Sequence, residues 1–165
     1  MSEYCVVVAE GARARFFTLE RPDLPELEGG PDLMEHLSLA NPRHRAHDSK
    51  VYADARSGRN RTPGGQGHAY DEHRDGHDAE MEHRFARDIA RQLDGLARSN
   101  GTRRVILCAE KRMLGFLRNG LPELPGVEIR EVQKDLAKLG PRELQEHLAR
   151  DGLLPRRRPP AGPGS

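Results

Sequence analysis

The chain contains no tryptophan, three tyrosines and four phenylalanines, so aromatic side chains can contribute little to its core. Its 27 Lys and Arg residues nearly balance 26 Asp and Glu residues, so no net field marks the whole chain as a nucleic-acid binder. No apolar run approaches the ~20 residues that a membrane-spanning helix needs. The first residues also lack the basic and apolar regions of a secretory signal. These absences predict a cytoplasmic protein that does not associate with membranes.

Cysteine is scarce as well. The two cysteines, Cys5 and Cys108, each lie inside an apolar run. This placement predicts two buried free thiols in a reducing compartment, because free cysteine behaves as a small hydrophobic residue and disulfides are rare in reducing compartments. A disulfide between them is the less favoured alternative.

The first third of the chain is rich in β-forming residues. Continuous or alternating apolar runs predict strands at residues 4–9, 12–19 and 33–39, with a short turn between the first two that favours an antiparallel hairpin. In the third strand we expect Leu33, Leu37 and Leu39 to point inward. A single helical turn is the alternative for this segment.

The second half alternates helices and strands. A stripe of apolar residues at helical spacing predicts a helix capped by Asp78 and stopped at Asn100-Gly101. A strand at 104–109, a helix at 111–119, a strand at 127–132 and a helix from Pro141 follow. The stripe consists of Met81, Phe85, Ile89, Leu93 and Leu96.

The element order β-β-β-α-β-α-β-α predicts an α/β protein with one mixed sheet covered by helices. This is the element order of the ribonuclease-H-like fold, and the middle domain of archaeal and eukaryotic release factors has a related arrangement. We predict a single α/β domain over residues 1–154. Within it, residues 41–76 form a flexible basic loop rich in Gly and His, and residues 155–165 form a disordered basic Pro/Gly tail.

The predicted loop contains the tripeptide Gly64-Gly65-Gln66. A Gly-Gly-Gln tripeptide on a basic loop resembles that of class I translation release factors, in which the loop tip enters the ribosomal peptidyl-transferase centre and promotes hydrolysis of the peptidyl-tRNA ester. Glycines allow close approach of the backbone to RNA, and a glutamine can orient water and offer an N–H group to an oxyanion. The alternative is a chance tripeptide in a glycine-rich loop.

Basic residues cluster around this tripeptide and at the C-terminus. Six of them lie between residues 43 and 61, where Asp48 and Asp54 are the only acidic residues. We expect these cations to contact RNA phosphates, which makes RNA or the ribosome the predicted partner. The candidate RNA-binding residues are Arg43, Arg45, Lys50, Arg56, Arg59, Arg61, Arg156, Arg157 and Arg158.

Two sets of residues could hold a metal ion by residue type. The first combines His68, His73, His77 and His83 with nearby carboxylates, and the second combines Glu10, Glu82 and Glu110. For the histidines, the favoured interpretation is a solvated polar segment that leads into a helix. For the glutamates it is ordinary charges at strand ends. The sequence therefore assigns no metal and no cofactor.

Several segments resemble recurring blocks of the bacterial host attachment protein family. They are residues 6–17 (VVVAEGARARFF), 85–90 (FARDIA), 113–118 (MLGFLR) and Asp135-Leu136. The resemblance implies a relation to the release-factor middle domain, and hence a module that binds ribosomes or RNA. Two alternatives remain open: a peptidyl-tRNA ester hydrolase that uses Gly64, Gly65 and Gln66 as catalytic residues, and a host-cell attachment protein without enzymatic activity. The sequence does not set the oligomeric state.

Overall fold

The fold is seen in a computed structural model that describes residues 2–43 and 66–162, with side chains of the second range described from residue 76. These residues form five strands and three helices in the predicted order. The strands are β1 (Tyr4–Ala9), β2 (Arg13–Glu20), β3 (Asp32–Ala40), β4 (Arg104–Cys108) and β5 (Glu128–Val132). The helices are α1 (Gln66–Asn100), α2 (Lys111–Gly120) and α3 (Pro141–Arg150).

The five strands form one mixed sheet in the order β3-β2-β1-β4-β5. The hairpin strands β1 and β2 are antiparallel, as are β2 and β3. The pairs β1–β4 and β4–β5 are parallel. Only β2 therefore runs against the other four strands, and the carboxyl ends of β1, β3, β4 and β5 meet at the same edge of the sheet.

Each face of the sheet supports its own hydrophobic core, because alternate residues of a strand point to opposite faces. Val7, Phe16 and Leu107 point to the face covered by α1 and α2. Val6, Phe17 and Ile106 point to the face covered by α3. The continuous apolar run of β1 is explained by this arrangement, since a central strand is covered on both sides.

The third strand departs from the expected pattern. Its register with β2 shifts at a bulge, so that Phe16 pairs with Leu37 but Phe17 pairs with Glu35. A bulge inserts one residue and reverses which face the following side chains occupy. As a result Leu33 is buried in the α3 core, whereas Leu37 and Leu39 pack against the α1 core. All three point inward as expected, but not to the same face.

The first helix begins earlier than the sequence predicts. The pattern placed its start near Asp78 and assigned residues 41–76 to a loop, whereas α1 begins at Gln66. The predicted stripe from Met81 to Leu96 is confirmed as buried, and Gly101 has the left-handed φ of 63° that ends the helix. The apolar pattern could not reveal the first part of α1, because residues 66–80 carry no apolar stripe for a core to bury.

The C-terminal segment also differs from expectation, because residues 155–162 lie against the connection between β2 and β3. Arg158 exchanges two backbone hydrogen bonds of 2.9 Å with Gly30, and Ala161 N donates to Pro25 O at 2.9 Å. A Cβ atom at residue 29 would lie only 2.7 Å from the Arg158 carbonyl oxygen, so this close approach requires glycine. The proline and glycine content that predicts disorder here instead suits an extended, tightly apposed segment.

The cysteine prediction is confirmed in part: both thiols are free and buried. Cys5 points to the α1 core and Cys108 to the α3 core, so the sheet separates them. Burial raises the pKa of each thiol from 9.0 to about 12. None of the helices in the described ranges is both long enough and apolar enough to cross a membrane.

Candidate functional site

The sheet edge at the carboxyl ends of β1, β3 and β4 is followed by three of the polar residues that the sequence singles out. Ligands of open α/β sheets bind outside the carboxyl ends of parallel strands, because loops there leave a crevice. Glu10 follows β1, Arg43 follows β3, and Glu110 follows β4 and precedes the first turn of α2. This edge is therefore the expected position of a ligand site.

A buried asparagine fixes the chain as it leaves β3. Asn41 is 1% exposed, and its Nδ2 donates to the carbonyl oxygen of Gly11 at 2.9 Å. Its backbone N–H donates to Ala12 O at 2.8 Å, and its Oδ1 accepts from the backbone N–H of Arg43 at 3.2 Å. Asn41 thus ties the end of β3 to the turn between β1 and β2.

The candidate RNA-binding residue Arg43 is engaged in an ion pair within the protein. Its Nη1 lies 3.1 Å from Asp88 Oδ2 of α1, and both side chains are about one third exposed. This pair joins the end of β3 to α1 and reduces the charge that Arg43 offers to a ligand. Arg45, Lys50, Arg56, Arg59 and Arg61 lie outside the described residues.

The first helix contacts this edge through Glu82 and Asp88, and it begins 16 residues before Glu82. Arg112, in the first turn of α2, contacts Glu82 of α1 through two hydrogen bonds of 3.0 and 2.8 Å. Met81 is the first buried residue of α1 among those whose side chains are described. At 1.5 Å per residue, Gln66 lies about 22 Å before Met81 along the helix axis. Gly64 and Gly65 lie outside the described residues, and of Gln66 the backbone alone is described.

The possible metal ligands do not assemble in the part of the chain that the structure describes, where no group of three or more His, Cys, Asp or Glu side chains could hold an ion. Glu82 is engaged by Arg112, and the ring of His83 packs against Phe116 with centroids 5.0 Å apart. The side chains of His68 and His73 are not among those described. The carboxylates Glu10, Glu82 and Glu110, the less favoured interpretation of these residues, therefore form no such group in the described structure.

The basic residues of the tail lie at the other end of the sheet. Arg157 Nε lies 2.7 Å from Asp32 Oδ1 at the start of β3, and the backbone of Arg158 pairs with Gly30. Nine residues of β3 separate this end from the edge that carries Arg43, which is about 30 Å at ~3.3 Å per residue. The structure thus does not bring Arg156, Arg157 and Arg158 together with Arg43 or Gln66.

Arg15 of β2 is a buried cation that is not among the residues predicted from the sequence. Its Nε lies 2.5 Å from Glu35 Oε1, and its Nη1 donates to the carbonyl oxygens of Ala137 and Leu139 at 3.0 and 2.6 Å. The guanidinium also lies 4.8 Å from the centre of the Phe17 ring. A signal existed: Phe16 and Phe17 are adjacent, so both faces of β2 are covered and Arg15 must share a buried face.

Gln145 of α3 is a second buried polar residue that the apolar pattern of the sequence does not indicate. Its Oε1 accepts from Leu33 N at 3.0 Å, and its Nε2 donates to Pro31 O at 2.8 Å and to Pro155 O at 3.3 Å. One amide therefore joins α3, the start of β3 and the C-terminal segment. No local pattern reveals this role, because Leu33 and Pro31 lie 112 and 114 residues away along the chain and Pro155 lies outside α3.

A five-stranded mixed sheet between helices, with polar residues at the edge where parallel strands end, defines a three-layer α/β protein. A family model described as "Protein required for attachment to host cells" matches residues 5–148. The chain therefore belongs to this family, as the resemblance of its sequence blocks predicts. Among the curated proteins, none matches this chain.

Proposed function

We propose that this member of the host attachment family is a release-factor-like module that binds RNA on the ribosome. The observation that carries the proposal is the position of Gln66, the last residue of the Gly-Gly-Gln tripeptide, at the first turn of α1. From that point α1 runs without interruption into the core against β1 and β4. A continuous helix would thus hold the end of the tripeptide at a fixed position relative to the sheet.

The topology of the sheet supports the same proposal. One mixed sheet with a single reversed strand, followed by alternating helices and parallel strands, fits the ribonuclease-H-like arrangement that the element order predicts. Fold alone does not define an activity, so the argument depends on the tripeptide. The ion pair between Arg43 and Asp88 holds the first residue of the basic segment beside α1.

The chemistry available at the start of α1 suits anionic partners. The first N–H groups of a helix have no acceptor within the helix, and the aligned peptide dipoles place partial positive charge there. Phosphate groups bind well at such a terminus. The backbone N–H of Gln66 could likewise stabilise the oxyanion that forms when water attacks a peptidyl-tRNA ester. A hydrolase is therefore the more specific form of this proposal.

The proposal predicts that wild-type protein co-sediments with ribosomes at low salt and dissociates at moderate salt, since phosphate contacts are lost as salt rises. If stalled ribosomes release their peptide, Gln66→Ala should abolish release and leave binding intact. Gln92→Ala, on the same helix but in its partly buried second half, is the matched control and should keep both activities. If the protein does not co-sediment with ribosomes at any salt concentration, the proposal of a ribosome-binding module is overturned. If it binds ribosomes but releases no peptide, only the hydrolase form of the proposal is overturned.

The family description favours a second candidate, an interaction protein for attachment to host cells. This role needs no catalytic residue, but it requires the protein to reach the cell surface. Cell fractionation separates the candidates: a surface-associated fraction supports attachment, and a signal confined to the cytosol excludes an adhesin.

A further inference from the structure

A groove of about 540 Å³ runs along the outer side of α3, between this helix and the C-terminal segment. It lies on the sheet face opposite to α1, because α3 covers the other core. The groove is thus separate from the edge that carries Arg43. The charged side chains that line it are Arg142, Glu146, Arg150, Arg156 and Arg157.

The charge of this groove is largely uncompensated. Arg157 is paired with Asp32 at 2.7 Å. Within residues 2–43 and the side chains described from residue 76 on, Arg142, Arg150 and Arg156 form no ion pair, and Glu146 forms none either. Three exposed cations therefore face one carboxylate, which leaves an excess of positive charge.

The spacing of the arginines favours a ligand that carries several negative charges. Arg142 and Arg150 are eight residues apart on α3 and share one face, which places their Cα atoms about 12 Å apart. Arg156 approaches from the other wall of the groove. Cations at this separation can each engage a different phosphate of one strand. A single small anion could contact all three only if the three arginine side chains bent towards one point.

The wall that carries Arg156 is held in place by contacts on both sides. Gln145 Nε2 donates to Pro155 O, and the backbone of Arg158 pairs with Gly30. The segment that contains Arg156 is thus fixed before a ligand arrives, and a site that is already arranged loses less entropy on binding.

We propose that this groove binds the sugar-phosphate backbone of RNA through Arg142, Arg150 and Arg156. The inference deepens the proposed function and rests on it for the choice of RNA as the polyanion. It assigns two residues of α3 that the sequence did not indicate. It also separates the tail arginines: Arg156 contacts the ligand, whereas Arg157 and Arg158 hold the segment against β3.

The test compares the full chain with the variant Arg142→Ala/Arg150→Ala/Arg156→Ala, using a short labelled single-stranded RNA of mixed sequence. The control variant Arg91→Ala/Arg98→Ala/Arg130→Ala removes the same charge from exposed positions outside the groove. Affinity of the groove variant should fall on the order of tenfold or more at low salt. Its slope of log K against log salt should become shallower by about 2, since each single-strand phosphate contact contributes about 0.7.

Each outcome bears on the proposal. Equal loss in the control and groove variants overturns it, because net charge alone would then explain binding, and so does unchanged affinity of a groove variant whose circular dichroism is native. Displacement of RNA by polyglutamate as readily as by unlabelled RNA overturns the choice of RNA. Groove-dependent binding to free RNA without ribosome co-sedimentation supports the groove and overturns the proposed function. If the groove variant still binds ribosomes as the wild type does, the proposed function is supported and the groove proposal is overturned.

Discussion

At the scale of single residues, two buried polar side chains hold together parts of the fold that hydrophobic contacts alone would leave loosely defined. Arg15 joins β2 to the loop that follows β5, and Gln145 joins α3 to the start of β3. A buried polar group is stable only when its hydrogen bonds are made, so each of these residues also specifies where its partners lie.

Arg15→Ala should lower the free energy of unfolding by about 2–3 kcal/mol, because two backbone carbonyls and Glu35 lose a charged donor. The neighbouring Arg13→Ala is the control, since Arg13 has an exposed side chain with one long contact of 3.4 Å to Ala137 O. Its effect should stay within about 0.5 kcal/mol. Urea denaturation of both variants measures the difference. Equal effects would show that the network around Arg15 contributes nothing to stability.

At the scale of elements, α1 differs most between expectation and structure. Its 35 residues combine a second half packed on the sheet with a first half that begins 15 residues before Met81. Periodicity detects the first kind of helix, because burial selects apolar residues at every third or fourth position. It cannot detect the second kind, in which the sequence carries no apolar stripe.

The glycines of α1 offer a matched pair of substitutions. Gly95→Ala should raise the free energy of unfolding by about 0.5–1 kcal/mol, because glycine weakens a helix interior and a Cβ atom there meets no other atom within 4 Å. Gly101→Ala should instead lower it, since Gly101 ends the helix with a φ of 63°. Thermal unfolding followed by circular dichroism measures both. The same sign for both substitutions would contradict the assigned end of α1.

At the scale of the whole molecule, the sheet divides the protein into two sides with different properties. One side carries α1 and α2, and α1 begins at Gln66, 15 residues before Met81, its first buried residue among those whose side chains are described. The other side carries α3 and the arginine groove. The two thiols follow the same division, because Cys5 and Cys108 lie in different cores.

Because each core contains one buried thiol, both cores contribute to the loss of stability at alkaline pH. The pKa of each thiol rises from 9.0 to about 12 on folding, so the folded state favours the protonated form. The stabilisation is complete below pH 9 and is lost as pH rises towards about 12. Between these two pH values, ionisation of each thiol lowers the free energy of unfolding by about 1.4 kcal/mol per pH unit.

Urea denaturation at pH 8 to 11 measures this loss. The variant Cys5→Ala/Cys108→Ala should start less stable at pH 8 but decline less steeply above pH 9. Parallel declines of variant and wild type would show that other groups, and not the thiols, govern alkaline unfolding. Thiol labelling under native conditions should also be slow at pH 8 in the wild type.

The sequence by itself determined the order of strands and helices, the buried stripe of α1, the burial of both cysteines and membership of the host attachment family. These features depend on local periodicity and on residue blocks, which a chain displays without folding. Only the tertiary structure decided the bulge in β3, the partners of Arg15 and Gln145, the docking of residues 155–162 and the groove beside α3. Each of these depends on packing and hydrogen bonding between different segments of the folded chain, so it leaves no periodic trace in the sequence.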